Sequence, residues 1–284
     1  MRKILPIAVA AAALFVISLP SAHAATQAPP SLTQVVAGSW RTPAYVQRDQ
    51  YRHPLQVLQF FGIRPDMTVI ELEPAGGWWT EILAPYLKAN GQLIEAVPPA
   101  DTTSSFSRQM RTGFDAKLKA SPRLYSKVKL VDFSPPNTVN LGPPNSADMV
   151  LTFRNLHDWV NEDNGAGEAV FKAAYAVLKP GGVFGLTDHR ALPFANAEES
   201  SKQLHRLTED FVIQMGLNAG FRLAGVSQIN ANPKDPMTIN VHHLPPDLSK
   251  DTAAQKKQYL AIGESDVMTL KFVKPTASQG ASGG

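Results

Sequence analysis

Apolar positions recur along this chain with two alternating periods. Val69, Ile70 and Leu72, with Glu71 among them, form a short run that reads as a buried strand. Gly76 and Gly77 follow, and residues 80–87 then carry Ile82, Leu83, Tyr86 and Leu87 at helical spacing. The same exchange continues downstream. Strands are predicted over 92–97, 128–133, 147–153, 183–187, 221–229 and 267–273. Helices are predicted over 104–120, where Phe106, Met110, Phe114 and Leu118 lie four apart, over 168–178, and over 198–219, closed by Gly220. Upstream, Leu55, Val57, Leu58, Phe60 and Phe61 mark a helix that enters at Pro54 and ends near Gly62. Lys179-Pro180-Gly181-Gly182 reads as a turn, and residues 134–145 as a loop.

Strands that alternate with helices predict an α/β fold: a doubly wound, mostly parallel seven-stranded sheet with helices on both faces. No helical pattern of ordinary length separates the last two strands, so the last is expected to run antiparallel. Residues 230–265 show no clear period and read as a lid-like insertion or binding loop. The Gly- and Ser-rich end, 279–284, reads as a loose tail.

The first two dozen residues stand outside this pattern. Arg2 and Lys3 are followed by an apolar stretch, Pro20 breaks it, and Ala22-His23-Ala24 is a small-x-small cleavage site. Residues 1–24 are therefore expected to be a secretory signal peptide, leaving 25–284 as one domain with an N-terminal helical arm. The apolar stretch is shorter than the ~20 residues of a spanning helix, so no stable membrane anchor is expected. Export would place the protein in a bacterial periplasm. The absence of cysteine is compatible with this, since a chain of 284 residues can build a core that needs no disulfides. Net charge is +3, and loss of Arg2 and Lys3 with the leader lowers it by two, to +1. With no long basic run, that balance points to no nucleic-acid partner. Nothing in the pattern sets an oligomeric state.

Ligands of doubly wound sheets bind beyond the carboxyl ends of the strands. Four such ends are polar here: Glu71 and Glu73; Asp132; Arg154, Asn155, His157 and Asp158; and Asp188, His189 and Arg190. His157 suits a general base oriented by a carboxylate such as Asp188. Arg154 suits an anionic substrate, through its planar fork, or a salt bridge to Glu71, Glu73 or Asp188. His157, Asp158, Asp188 and His189 are also a nitrogen and oxygen set of the kind that holds divalent metals. However, no helix carries two of them at ligand spacing, and adjacent strand residues point opposite ways, so no metal is expected. His242-His243 reads as a surface pair. Trp78 and Trp79 open the first helix after the glycines, either to stack on a ring or to pack in the core.

Three stretches resemble the class I S-adenosylmethionine-dependent methyltransferases. Residues 69–80 stand where that superfamily has its acidic-x-Gly-x-Gly-x-Gly loop, ADMVLTFRNLHDW (147–159) resembles its fourth strand and following loop, and VLKPGGVFGLTD (177–188) resembles its helix, turn and fifth strand. Together with YRHP (51–54), GWWTEILAPYL (77–87), NANPKD (230–235) and GESDVMTLKF (263–272), they make the chain most similar to a group of predicted bacterial methyltransferases with signal peptides. The resemblance implies a Rossmann-like methyltransferase fold in which the first, fourth and fifth strands are neighbours. It also implies S-adenosylmethionine as cofactor and a small molecule as methyl acceptor. Glu71, Glu73, Gly76, Gly77, Asp132 and Phe133 would then line the cofactor site, and His157, Arg154 and Asp188 would face the acceptor. The chain departs from the pattern at two points. Glu73 and Ala75 replace the first two glycines, and Val97 stands where an acidic residue would hold the ribose. Glu73 would either crowd the cofactor or pair with its amino or sulfonium charge. These departures keep open a second expectation, a non-catalytic periplasmic ligand-binding or accessory protein on the same fold.

Overall fold

The computed structural model describes residues 29–276, apart from 163 and 247 and the side chain of 198. The leader (1–24) and the tail (279–284) of the sequence reading lie outside the described residues. Seven strands form one sheet: β1 (Thr68–Leu72), β2 (Gln92–Val97), β3 (Lys129–Asp132), β4 (Ala147–Phe153), β5 (Leu178–His189), β6 (Arg222–Ser227) and β7 (Val267–Val273), in the order β3-β2-β1-β4-β5-β7-β6. The first five pair in parallel, and β7 runs antiparallel between β5 and β6. This is the expected doubly wound sheet with its last strand reversed.

Both faces are covered, which is why β1 and β4 read as nearly unbroken apolar runs. Ile70, Leu72, Val150 and Phe184 point into one core, with Phe171 and Val212 from the helices Ala166–Val177 and Glu209–Asn218. Val69, Met149 and Leu151 point into the other, with Val57, Phe61, Ile82 and Leu87 from the helices Pro54–Phe61 and Thr80–Leu87. Burying each such side chain contributes roughly 1.5–3 kcal/mol. The fit is close at Gly185 of β5, where an added Cβ would lie 2.8 Å from Leu151 and Phe61. A Gly185→Ala change would therefore force strand and helix apart.

Three parts of the sequence reading need correction. The long helix predicted over 198–219 is two helices, Ala197–Leu204 and Glu209–Asn218, broken at His205 (φ 55°). The break lets Arg206 sink out of contact with solvent, where it bonds Asp235 and the carbonyls of Ile239 and Arg190. Thr208, whose side chain accepts from the Phe211 amide, caps the second helix. The Lys179–Gly182 turn lies inside β5 as a bulge, between the pairs Ala147–Leu178 and Met149–Val183. A helix, Ala253–Ile262, does stand between the last two strands. It buries no residue, so it has no apolar period to detect, and its Thr252/Gln255 capping box is its sequence mark. The helix predicted over 104–120 is present as Ser105–Ala120; of its row at spacing four only Phe114 is buried, and Phe106 is 72% exposed.

The N-terminal arm is a chain of short helices, Leu32–Val36, Pro43–Val46, Asp49–Arg52 and Pro54–Phe61. It is tied to the helix Thr80–Leu87 through Glu81, whose carboxylate accepts from Thr42 N and Oγ1 and pairs with Lys117. No helix among the described residues is long and apolar enough to cross a membrane.

Candidate active site

At the carboxyl end of β1 the chain makes three left-handed residues in alternation. φ is 46° at Glu73, 51° at Ala75 and 76° at Gly77. These are the three glycine positions of the acidic-x-Gly-x-Gly-x-Gly pattern. The backbone holds the glycine conformation although two of the glycines are gone. A left-handed residue with a Cβ costs about 1–2 kcal/mol, so the surroundings must enforce it. Asn155, just after β4, supplies part of the restraint: its Nδ2 donates to the carbonyls of Leu72 (2.9 Å) and Glu73 (3.3 Å). The Glu73 amide donates to Ala96 O of β2 at 2.9 Å. On the other side the loop is closed by protein. The Tyr45 hydroxyl donates to Gly76 O (3.0 Å), and an added Cβ on Gly77 would lie 2.9 Å from Lys117.

A cavity of about 210 Å³ opens over this loop, walled by Glu73, Pro74 and Ala75, by Val97 and Pro98 at the end of β2, by Phe106, Met110 and Phe114, and by Asn155 and Asp158. It lies below the roughly 300–1,000 Å³ usual for small-molecule sites. Its walls are the ends of neighbouring parallel strands, the place where ligands bind in doubly wound sheets. Glu73 is a half-buried ionisable group on its wall. Burial pushes that carboxyl up to about 7, against a hydrogen bond from Trp159 and with the negative charges of Asp158 and Glu162 adding to the rise.

The other predicted cofactor residues are placed differently. Glu71 points to the opposite side of β1, where it accepts from Thr80 Oγ1 (3.2 Å) and lies beside Glu95 in register on β2. Burial raises Glu71 to about 7 and, together with the Glu71 charge, raises Glu95 well above the usual carboxylate range. Gly77 is buried beneath Phe114 and Lys117, whereas Gly76 is exposed and only its carbonyl is engaged, by Tyr45. Asp132 is exposed and meets the cavity only through Arg111, whose guanidinium pairs with it at 3.2 Å. Phe133 is fully buried, edge-on to Trp159.

Of the predicted acceptor-facing residues, His157 and Asp188 are brought together and Arg154 is not. His157 Nδ1 lies 2.7 Å from Asp188 Oδ1, and its amide donates to Oδ2 at 3.1 Å. Burial lowers the imidazole, but the Asp188 carboxylate outweighs it and holds His157 above its ordinary value. His157 does not reach the cavity itself. Its Nε2 stands 3.4 Å from Asp158, and Asp158 is on the cavity wall. Arg154 turns away to Glu264 (2.6 Å), which also holds Arg48 (2.5 Å) and Arg52 (3.7 Å). His189 bonds Ser265 and is buried, which keeps it well below its ordinary value. Trp79 stacks on Phe153 (3.9 Å between centroids), and Trp78 donates to Tyr45 O, so both rings are core.

Sequence reasoning passed over several groups that build the site. Asn155 was marked only as a polar residue after a strand. Phe106 and Met110 carry a helical period that does not mark them as cavity wall. His205, half-buried at the end of its helix, had no pattern at all. It comes beside Asp158 (3.5 Å) because the helix breaks there.

No family model matches the chain, and no curated protein matches it in sequence. Solved structures do match in fold. A SAM-dependent methyltransferase from Aquifex aeolicus superposes with a TM-score of 0.52 at 13% identity, covering 86% of this chain and 98% of that one. Phosphoethanolamine N-methyltransferase 2 from Haemonchus contortus, in complex with S-adenosyl-L-methionine, gives 0.52 at 16% identity, over 80% of this chain and 53% of that one. The [4+2]-cyclase SpnF gives 0.53 at 14%, over 87% and 92%. At these identities the likeness establishes a fold, that of the SAM-dependent methyltransferases. The cyclase illustrates that the same fold carries other chemistry.

Proposed function

We propose that this chain is an exported, periplasmic S-adenosylmethionine-dependent methyltransferase acting on a small molecule. One observation carries the reading. Glu73, Ala75 and Gly77 keep the left-handed sequence of a cofactor loop beneath a cavity at the strand ends. Strain of this kind is retained where a ligand needs the backbone that close. The residues present fit the cofactor's chemistry. Val97, Phe106 and Met110 offer an apolar wall to the adenosine, and the Glu73 carboxyl offers a partner to the amino or sulfonium cation.

When bound, S-adenosylmethionine supplies a methyl group on a positively charged sulfur. The protein's share is to hold the acceptor in line with it and to take the acceptor's proton. Asp158 is the group on the cavity wall placed to do so. His157 fixes that carboxylate from behind, and Asp188 fixes the His157 tautomer and charge. Arg154, committed to Glu264, is a structural residue of the same corner.

A second reading is favoured by one feature. The Glu73 side chain stands where the first glycine of the loop would leave room, which suits a non-catalytic binding protein for a smaller cationic ligand. The readings separate on turnover. Purified mature protein, incubated with S-adenosylmethionine and a periplasmic small-molecule extract, is expected to release the demethylated cofactor and to add one methyl group to an extract component. An Asp158→Asn variant is expected to do neither. Ligand binding without turnover in any extract would leave the second reading.

A further inference from the structure

The corner behind the cavity carries a group of side chains that the methyl-transfer reading does not need in full. His157 Nε2 and His205 Nδ1 flank one carboxylate oxygen, Asp158 Oδ1, at 3.4 and 3.5 Å, and the three atoms all lie within 4.8 Å of one another. The geometry points to a binding site for a zinc-class divalent transition metal, with His157, Asp158 and His205 as its ligands.

Four observations support it. First, the spacing fits. Tetrahedral ligands about 2.0–2.1 Å from zinc lie roughly 3.3–3.4 Å from each other, and two of the three pairs here already stand at that separation. Second, the outer arrangement is that of a metal-binding histidine. Asp188, fully buried, takes His157 Nδ1 at 2.7 Å, which leaves Nε2 facing Asp158, and Ser201 Oγ donates to the His157 carbonyl at 2.9 Å. Third, the carboxylates of Asp158 and Asp188 lie on the two sides of the His157 ring, so a cation bound at Nε2 meets negative charge. Fourth, Asn161 Oδ1 is buried without a partner beside this set, while its Nδ2 lies 3.3 Å from His205 Nδ1 in a hydrogen bond that the ion would replace. A water on the ion would give that oxygen a donor.

The neighbouring set His157, Asp188 and His189 is less suited to the same ion. Its Asp188 carboxylate is already taken by three donors, and His189 is bonded to Ser265. His242, whose ring lies 4.3 Å from that of His205, is a further imidazole next to the set but not part of it. Three protein ligands leave a position for water or a ligand oxygen, the pattern of open rather than structural zinc sites. Asp158 also walls the cavity, so the ion would sit at its edge. On the methyltransferase reading, an ion there would favour an acceptor that offers oxygen. The site itself stands without that reading.

The test is metal binding alone, with no cofactor present. Chelator-treated mature protein is titrated with Zn²⁺ by calorimetry and with Co²⁺ by visible absorption. The expected result is one ion per chain with micromolar or tighter affinity, and the intense visible bands of four-coordinate cobalt. Two ligand variants are chosen to fold. Asp158→Asn alters an exposed side chain. His205→Asn keeps a residue that tolerates the left-handed backbone at that position. Each is expected to abolish the cobalt bands at unchanged melting temperature. Asp188→Asn is expected to weaken binding about 10–100-fold. His243→Ala, which removes a partner of Asp251 outside the set, is expected to change nothing. Absence of one-to-one binding in the unmodified protein, or equal binding by both ligand variants, would overturn the assignment. Neither result depends on whether S-adenosylmethionine binds.

Discussion

His157 Nδ1 and Asp188 Oδ1 are 2.7 Å apart, and this contact ties the loop after β4 to the end of β5. The same carboxylate also accepts from the amides of His157 (3.1 Å) and His189 (2.6 Å). It thus orients the histidine, shapes the loop that carries Asp158 and Asn155, and sets the imidazole's charge. Asp188→Asn removes the charge and keeps the shape. Burial, aided by the Arg154 charge, is then opposed only by Asp158, and the His157 pKa is expected to fall from its raised value. An NMR titration of the histidine ring protons reads this directly. A His157 that titrates at the same pH in both proteins would show that Asp188 is not what holds its proton.

The buried pair Glu71 and Glu95 makes stability fall with rising pH. Glu71 is raised from 4.5 to about 7 in the fold, by burial. A folded value above the unfolded one means that the favourable contribution is complete below about 4.5 and is lost as pH rises through about 7. Glu71→Gln is expected to stabilise the protein at pH 8 by on the order of 3 kcal/mol, with no gain at pH 4. Urea unfolding at the two pH values measures it. Equal effects at both would mean that the pair is not protonated in the fold.

Glu264 behaves in the opposite sense. Burial would raise its carboxyl, but Arg154, Arg48 and Arg52 outweigh burial and hold it at about 2. Its contribution is therefore complete above about 4.5 and is lost only as pH falls through about 2. Glu264→Gln leaves three arginines facing one another in a largely buried corner and is expected to cost about 3–5 kcal/mol. A loss under 1 kcal/mol in thermal or urea unfolding would mean that water or an anion already compensates the arginines.

Ala75 holds a glycine's conformation, at φ 51°. Ala75→Gly is expected to relieve that strain and change stability by about +1 kcal/mol at most, since glycine's added chain entropy offsets part of the gain. Gly76→Ala is expected to destabilise, because its Cβ would come 2.5 Å from the Tyr45 hydroxyl. Differential scanning calorimetry of the two variants would show opposite shifts. Shifts of the same sign would argue that the loop conformation is not as described.

The sheet was readable because β1, β4 and β7 are buried along most of their length and so carry largely apolar runs. Periodicity failed where burial was absent or was supplied by something other than a stripe. The helix Ala253–Ile262 touches no core, so only its cap marks it. The break at His205 is driven by a buried arginine bonded to Asp235, 29 residues away, and no local pattern carries that. For the site, His157 and Asp188 were readable as a pair because strand ends converge in this fold. Which of the polar tips reaches the cavity was not, since Asp158 and His157 are adjacent in sequence and differ only in the turn of a short helix. Arg154 lost its expected role to Glu264, a partner 110 residues on.

The account rests on a ligand lying over residues 73–77 with Glu73 as the partner of its positive charge. The direct measurement is calorimetric titration of the mature protein with S-adenosylmethionine at pH 6 and pH 8. Glu73 ionises at about 7, and a cationic ligand selects the ionised form. One-site binding is expected that tightens from pH 6 to pH 8, by up to about tenfold for each pH unit below the pKa, with the pH dependence lost in Glu73→Gln. Absence of binding at millimolar cofactor at both pH values, in the unmodified protein and in a Glu73→Gly variant that opens the cavity, would contradict it.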